Sequence, residues 1–158
     1  MIALLAALVL FASSTQAAGD PVVEAGAVLD RMHAAASRAD GDAYFDLFTP
    51  DARFIGTDAS ERWSLAEFRA YATPYFSQGK GWTYRPHDRV ATLAPGDCRC
   101  IVWFDELLDN DAYGLTRGSG VLRLTHYGWK IEQYVLSFTV PNDKAKSVVG
   151  LIAQDPAD

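Results

Sequence analysis

Between Cys98 and Thr139 three β-type segments follow one another with turn residues between them. This run limits the chain to folds that contain a meandering antiparallel sheet. Side chains two apart share one face of a strand. On one face lie Ile101, Trp103, Asp105 and Leu107, then Leu115, Arg117, Ser119 and Val121, then Trp129, Ile131, Gln133, Val135 and Ser137. Apolar positions interrupted by Asp, Arg, Ser and Gln read as the lining of a small-molecule pocket, because polar groups are costly to bury without partners. The other face carries Cys98, Cys100, Val102 and Phe104, then Leu122 and Leu124, then Tyr134, Leu136 and Phe138. Glu106 alternates to that second face, where a solvated or interfacial place is expected. Two apolar faces on an antiparallel sheet need two covers. Helices cover one, and a second copy packed sheet to sheet is expected to cover the other, giving a homodimer.

Upstream of the meander the pattern becomes helical. From Pro21 the spacing of Ala25, Val28, Leu29, Met32 and Ala36 marks one stripe of an amphipathic helix that Gly41 ends. A shorter helix around Tyr44, Phe45, Leu47 and Phe48 has Asp40 and Asp42 as capping candidates and stops at Thr49-Pro50-Asp51. Arg53 to Ile55 reads as a short strand. Ser64 and Glu67 stand at capping-box spacing before a third helix with the stripe Leu65, Phe68, Tyr71, Ala72, Tyr75 and Phe76, kinked at Pro74. Extended stretches at 82–85 and 89–93 are interrupted by Pro86, and Pro95-Gly96-Asp97 turns the chain into the meander. Helix, helix, strand, helix and then an antiparallel meander is an α+β order. Residues 19–143 form one domain, and residues 144–158 a tail with room for one short helix.

Residues 1–18 read as a signal peptide: the apolar run Ile2 to Ala12 is too short to span a bilayer and is followed by small residues. No Lys or Arg precedes that run, and a buried N-terminal helix is the other reading. Export to the periplasm or the exterior follows from the first. A formal net charge of −6 and 14 scattered Lys and Arg exclude nucleic acid as a natural partner and give no basic face for a membrane. Cys98 and Cys100 are the only cysteines. A strand running through both favours two reduced, packed thiols, and a strand that starts later leaves room for one strained bond. They lack C-x-x-C spacing, so no redox or metal role is read from them. His33, on a helix, His87 and His126 are scattered, and the sequence calls for neither a metal nor a cofactor.

Phe45-Asp46-Leu47-Phe48, Asp51-Ala52-Arg53-Phe54, Trp103-Phe104-Asp105-Glu106, Arg117-Gly118-Ser119-Gly120-Val121-Leu122 and Gly128-Trp129-Lys130-Ile131, in this order, resemble the SnoaL-like branch of the nuclear transport factor 2-like superfamily. The resemblance covers about residues 22 to 143. It implies a cone-shaped α+β barrel, a curved antiparallel sheet wrapped around about three N-terminal helices, with an apolar pocket at the wide end. Catalytic relatives of the isomerase and cyclase types place an acid–base carboxylate or a His-Asp pair in the cavity, and cofactor-free proton transfer, isomerisation or dehydration is the chemistry this implies. Asp105 is the carboxylate on the expected inner face and so the candidate catalytic residue, with Arg117 beside it. The two form either a structural ion pair or a working base and anion anchor. Ser119 and Gln133 then orient the ligand, and Trp63, Tyr71 and Trp103 supply an aromatic wall. Two functions stay open: a small, largely apolar ligand with acid–base chemistry, or a non-catalytic dimerisation or protein-interaction module.

Overall fold

The computed structural model describes residues 19–154, and the expected signal segment lies outside them. Asp20 opens the first helix by accepting a hydrogen bond from the Val22 N–H at 2.9 Å, with Pro21 in the first turn where no N–H is needed. The elements then follow as α1 (Pro21–Ser37), α2 (Gly41–Phe45), β1 (Phe48–Ile55), β2 (Arg62–Ser64) and α3 (Leu65–Phe76). After them come β3 (Arg85–Leu93), β4 (Ile101–Asn110), β5 (Gly114–Thr125), β6 (Gly128–Phe138), a 3₁₀ turn (Asn142–Lys144) and α4 (Ala145–Gln154). The predicted stripe of α1 is buried, and His33 is buried within it. The capping box of α3 forms as expected, with Ser64 and Glu67 bonded in both directions. α3 buries Phe68, Ala72 and Phe76 and runs through Pro74. α4 buries none of its residues.

The strands form one sheet in the order β2-β1-β6-β5-β4-β3. Its two edges, β2 and β3, do not pair, so the sheet is open and the cone-shaped barrel implied by the resemblance is not formed. The edges are poorly suited to closure. β2 is three residues long, and β3 carries Pro86, which has no N–H to donate. β1 is also longer than the sequence predicts and lies parallel to β6, which makes the sheet mixed rather than antiparallel throughout. Its register breaks between Phe48 and Arg53, and Pro50 falls in that break.

α1, α2 and α3 lie against a single face. Facing them are Val102, Phe104, Glu106 and Leu108 of β4, with Thr116 and Leu122 of β5 on either side of Gly118 and Gly120. On β6, Val121 pairs with Gln133 but Leu122 pairs with Ile131, leaving Glu132 as an extra residue. That bulge reverses the alternation. Trp129 and Ile131 are buried before it and Tyr134 after it, so the single face predicted from Trp129 to Ser137 is split in two. Tyr44, Phe45, Phe48, Phe68, Phe76 and Trp82 fill the space between helices and sheet, most of their rings edge-on or tilted to their neighbours.

The inward glycines are there for clearance. A Cβ on Gly118 would meet the Tyr134 hydroxyl, and one on Gly120 would overlap the Gln133 carbonyl oxygen. Backbone cannot swing aside as a side-chain tip can. We expect Gly120→Ala to destabilise the protein by about 2 kcal/mol, seen as a lower urea midpoint at an unchanged slope. An unmoved midpoint would contradict this packing.

Candidate functional site

Burial of Val102, Phe104 and Leu108 fixes which side of β4 turns inward, and Glu106 goes in with them. The predicted catalytic Asp105 therefore lies on the outer face. It is half-exposed beside an equally exposed Arg117, with 4.0 Å between Oδ1 and Nε. An exposed pair of this kind contributes about 0–1 kcal/mol. Ser119 and Gln133 share that outer face, and Trp103 is 45% exposed on it. Four proposed pocket residues, Trp103, Arg117, Ser119 and Gln133, thus stand outside with Asp105. Trp63 and Tyr71 do line the cavity.

Glu106 is 0% exposed and is held from three sides. Its Oε1 accepts from His33 Nε2 at 2.7 Å and from the Tyr134 hydroxyl at 3.4 Å, and its Oε2 accepts from Arg89 Nε at 2.7 Å. Arg89 in turn reaches Asp30 at 2.8 Å and the Gly26 carbonyl at 3.0 Å, both on α1. Burial pushes the Glu106 pKa up, but the bonds and charges of His33 and Arg89 outweigh it, and the carboxyl sits below its ordinary value. Arg89 is likewise penalised by burial and held charged by Glu106 and Asp30. Burial first, and then the Glu106 charge, raises the Tyr134 phenol well above its ordinary value, so it stays a neutral donor.

A carboxylate facing Nε2 fixes the proton there. In the neutral ring the other nitrogen, Nδ1, is then an acceptor. His33, 8% exposed, lines a cavity of about 310 Å³ between helices and sheet, as does Tyr134. That volume is at the small end of the ~300–1,000 Å³ typical of ligand sites. Nearly parallel rings form one wall: Tyr71 on Trp63 (4.9 Å between centroids), Trp63 on Phe68 (5.5 Å), Phe68 on Phe54 (3.8 Å) and Phe54 on Tyr134 (5.6 Å). Tyr75, Tyr84, Tyr113 and Glu61 complete the lining towards solvent. Burial, helped by Tyr113 and Glu61, pushes Tyr84 up to about 12, so it too stays protonated at neutral pH. The cavity is thus a flat aromatic slot with phenol donors along it and a positioned imidazole at its buried end.

The alternation of β4 already paired Glu106 with Val102 and Phe104, and the α1 stripe already bracketed His33 between Leu29 and Ala36. What the sequence did not show is which face of β4 is inner and that β3 would bring Arg89 against it. Among the described residues no group of three His, Cys, Asp or Glu is placed to hold a metal ion, and no helix is long and apolar enough to cross a membrane.

Residues 26–141 match the model of the SnoaL-like domain, and the chain belongs to that family. Three solved structures are similar to it. An NTF2-like protein of unknown function from Pseudomonas putida KT2440 has a TM-score of 0.63 at 11% identity, over 78% of this chain and 89% of that one. A ketosteroid isomerase-like protein from Erwinia carotovora atroseptica SCRI1043 has a TM-score of 0.57 at 18% identity, over 77% and 98%. A cystatin-like fold protein from Burkholderia xenovorans LB400 has a TM-score of 0.60 at 22% identity, over 77% and 94%. At such identities the likeness is one of fold. No curated protein matches the chain.

Because the fold holds Glu106 deprotonated below its ordinary value of 4.5, its stabilisation is complete above that pH and is lost as pH falls through the lower folded-state value. We expect Glu106→Gln to cost about 3 kcal/mol at neutral pH and to flatten the acid limb of a urea-denaturation profile. An acid limb as steep as that of the wild type would contradict the network.

Proposed function

We propose that the protein binds a small planar, largely apolar molecule in the aromatic slot and moves a proton on it without a cofactor. His33 Nδ1 is the acid–base group, and Glu106 and Arg89 position it. One observation carries this reading: a histidine lining the cavity is held through Nε2 by a buried carboxylate. Stability does not call for that carboxylate. Apolar residues in place of Glu106, Arg89 and His33 together, continuing the line of Val102, Phe104 and Leu108, would serve a core as well or better. A His held by a carboxylate has a fixed tautomer and orientation, which is what general acid–base catalysis needs. Tyr134 and the rim tyrosines offer neutral donors to an oxygen on the ligand. The ketosteroid isomerase-like relative supports proton transfer next to a carbonyl as the reaction class.

Proton transfer of this kind is measurable before the natural substrate is known. In deuterium oxide, a panel of small aryl ketones is expected to include members that exchange C–H for C–D next to the carbonyl. His33→Ala should slow that exchange by roughly 10²–10⁴-fold while ligand binding, read from quenching of Trp63 and Trp82 fluorescence, changes only a few-fold. Exchange unaffected by His33→Ala would refute the assignment.

The open sheet face supports the expected homodimer. Val90, Trp103 and Leu115 are exposed on or beside it, and Asp105 and Arg117 stand next to each other within it. Around a twofold axis such a patch is complementary to itself, each Arg117 meeting the Asp105 of the other copy. Light scattering at micromolar concentration should give twice the chain mass, and Trp103→Asp should give the monomer. A wild-type monomer would contradict the pairing. Export from the cytoplasm is part of the proposal, supported by the apolar run Ile2 to Ala12 and the small residues after it.

A further inference from the structure

Cys98 and Cys100 are joined by a disulfide with 5.1 Å between their Cα atoms, because β4 starts only at Ile101 and leaves both in the turn before it. We propose that this bond is a thiol–disulfide exchange site, reduced by small thiols and reoxidised by their disulfides in the folded protein. It is independent of the acid–base cavity. Three observations support it. First, the bond contributes little to holding the fold. It closes a loop with one residue between the cysteines, where the restriction placed on the unfolded chain is smallest. The strands on either side are already fastened by backbone, the Ala94 N–H to the Ile101 carbonyl at 2.9 Å and the Leu124 N–H to the Cys100 carbonyl at 2.8 Å. Second, Arg99 between the two cysteines is left-handed, with φ at 47°, a conformation a side chain other than glycine adopts at a cost. Opening the ring releases that residue, so the backbone favours the dithiol. Third, Cys98 is exposed and Cys100 only half so, and Arg99 is exposed with no ion pair among the described residues. An attacking thiolate meets Cys98 first, and a guanidinium one residue away stabilises the thiolates that form.

The exchange is a pair of substitutions. A thiolate attacks Cys98 Sγ, the Cys98–Cys100 bond breaks, and its electron pair leaves on Cys100 Sγ, which takes a proton from solvent. A second thiolate attacks the outer sulfur of the mixed disulfide, and Cys98 leaves as a thiolate. Two thiols become one disulfide as the protein disulfide becomes a dithiol.

The whole protein is equilibrated with reduced and oxidised glutathione, the thiols are trapped by alkylation and counted by mass, and circular dichroism and the urea midpoint are recorded alongside. The bond is expected to reduce in the native state with the fold kept. Arg99→Gly, which removes both the strained conformation and the cation, should need about tenfold more reductant for half-reduction, and Arg99→Lys should behave as wild type. In Cys100→Ser, oxidised glutathione should cap Cys98 faster than it caps Cys100 in Cys98→Ser. A bond that yields only in denaturant, a fold lost on reduction, or an Arg99→Gly variant reduced as readily as wild type would each overturn the proposal.

Discussion

A carboxylate buried between a helix and a sheet must be neutralised where it stands, and the arrangement around Glu106 follows from that need. Arg89 on β3 supplies the charge and also reaches Asp30 and the Gly26 carbonyl, so the edge of the sheet is tied to α1 by the same side chain. His33, one turn above Leu29, supplies the second hydrogen bond, and the inward glycine at 118 leaves room for the Tyr134 hydroxyl to supply the third. Replace Glu106 by an apolar residue and Arg89 loses its buried partner, while the His33 ring loses the bond that orients it. The polar end of the cavity and the docking of α1 are thus one feature of the structure.

The fold was legible wherever a local rule decided it. The α1 stripe, the capping box at Ser64 and Glu67 and the turns of the meander depend on residues close in sequence, and they form as read. What failed depended on how the strands pair. The parallel match of β1 to β6 joins segments far apart in the chain, and nothing in Phe48 to Ile55 announces it. The bulge at Glu132 shifts the alternation of β6 by one, so a face inferred by counting in twos from Trp129 turns over before Tyr134.

The candidate site was misplaced for a related reason. Both faces of β4 mix apolar with charged residues, and alternation says which residues share a face but not which face is buried. Counting polar interruptions as pocket lining selected Asp105, whereas burial goes with the more apolar line of Val102, Phe104 and Leu108, with Glu106 among them. Asp105 and Arg117 are adjacent, as the strands require, but both are half in water, where a pair has little energetic weight. Trp63 and Tyr71 were placed in the cavity on their own local signals, one just before and one within a well-capped helix. The sheet accordingly carries its buried polar groups, Glu106 and Tyr134, on the helix side and the exposed Asp105–Arg117 pair on the other.

The ring nitrogens of His33 offer the most direct measurement of the central claim, that Glu106 aims this histidine at the cavity. Nitrogen NMR of the labelled protein at neutral pH separates protonated from bare ring nitrogens. The result expected is the proton of the neutral ring on Nε2, with Nδ1 bare. A spectrum with the proton fixed on Nδ1, or divided evenly between the two nitrogens as in free histidine, would contradict it.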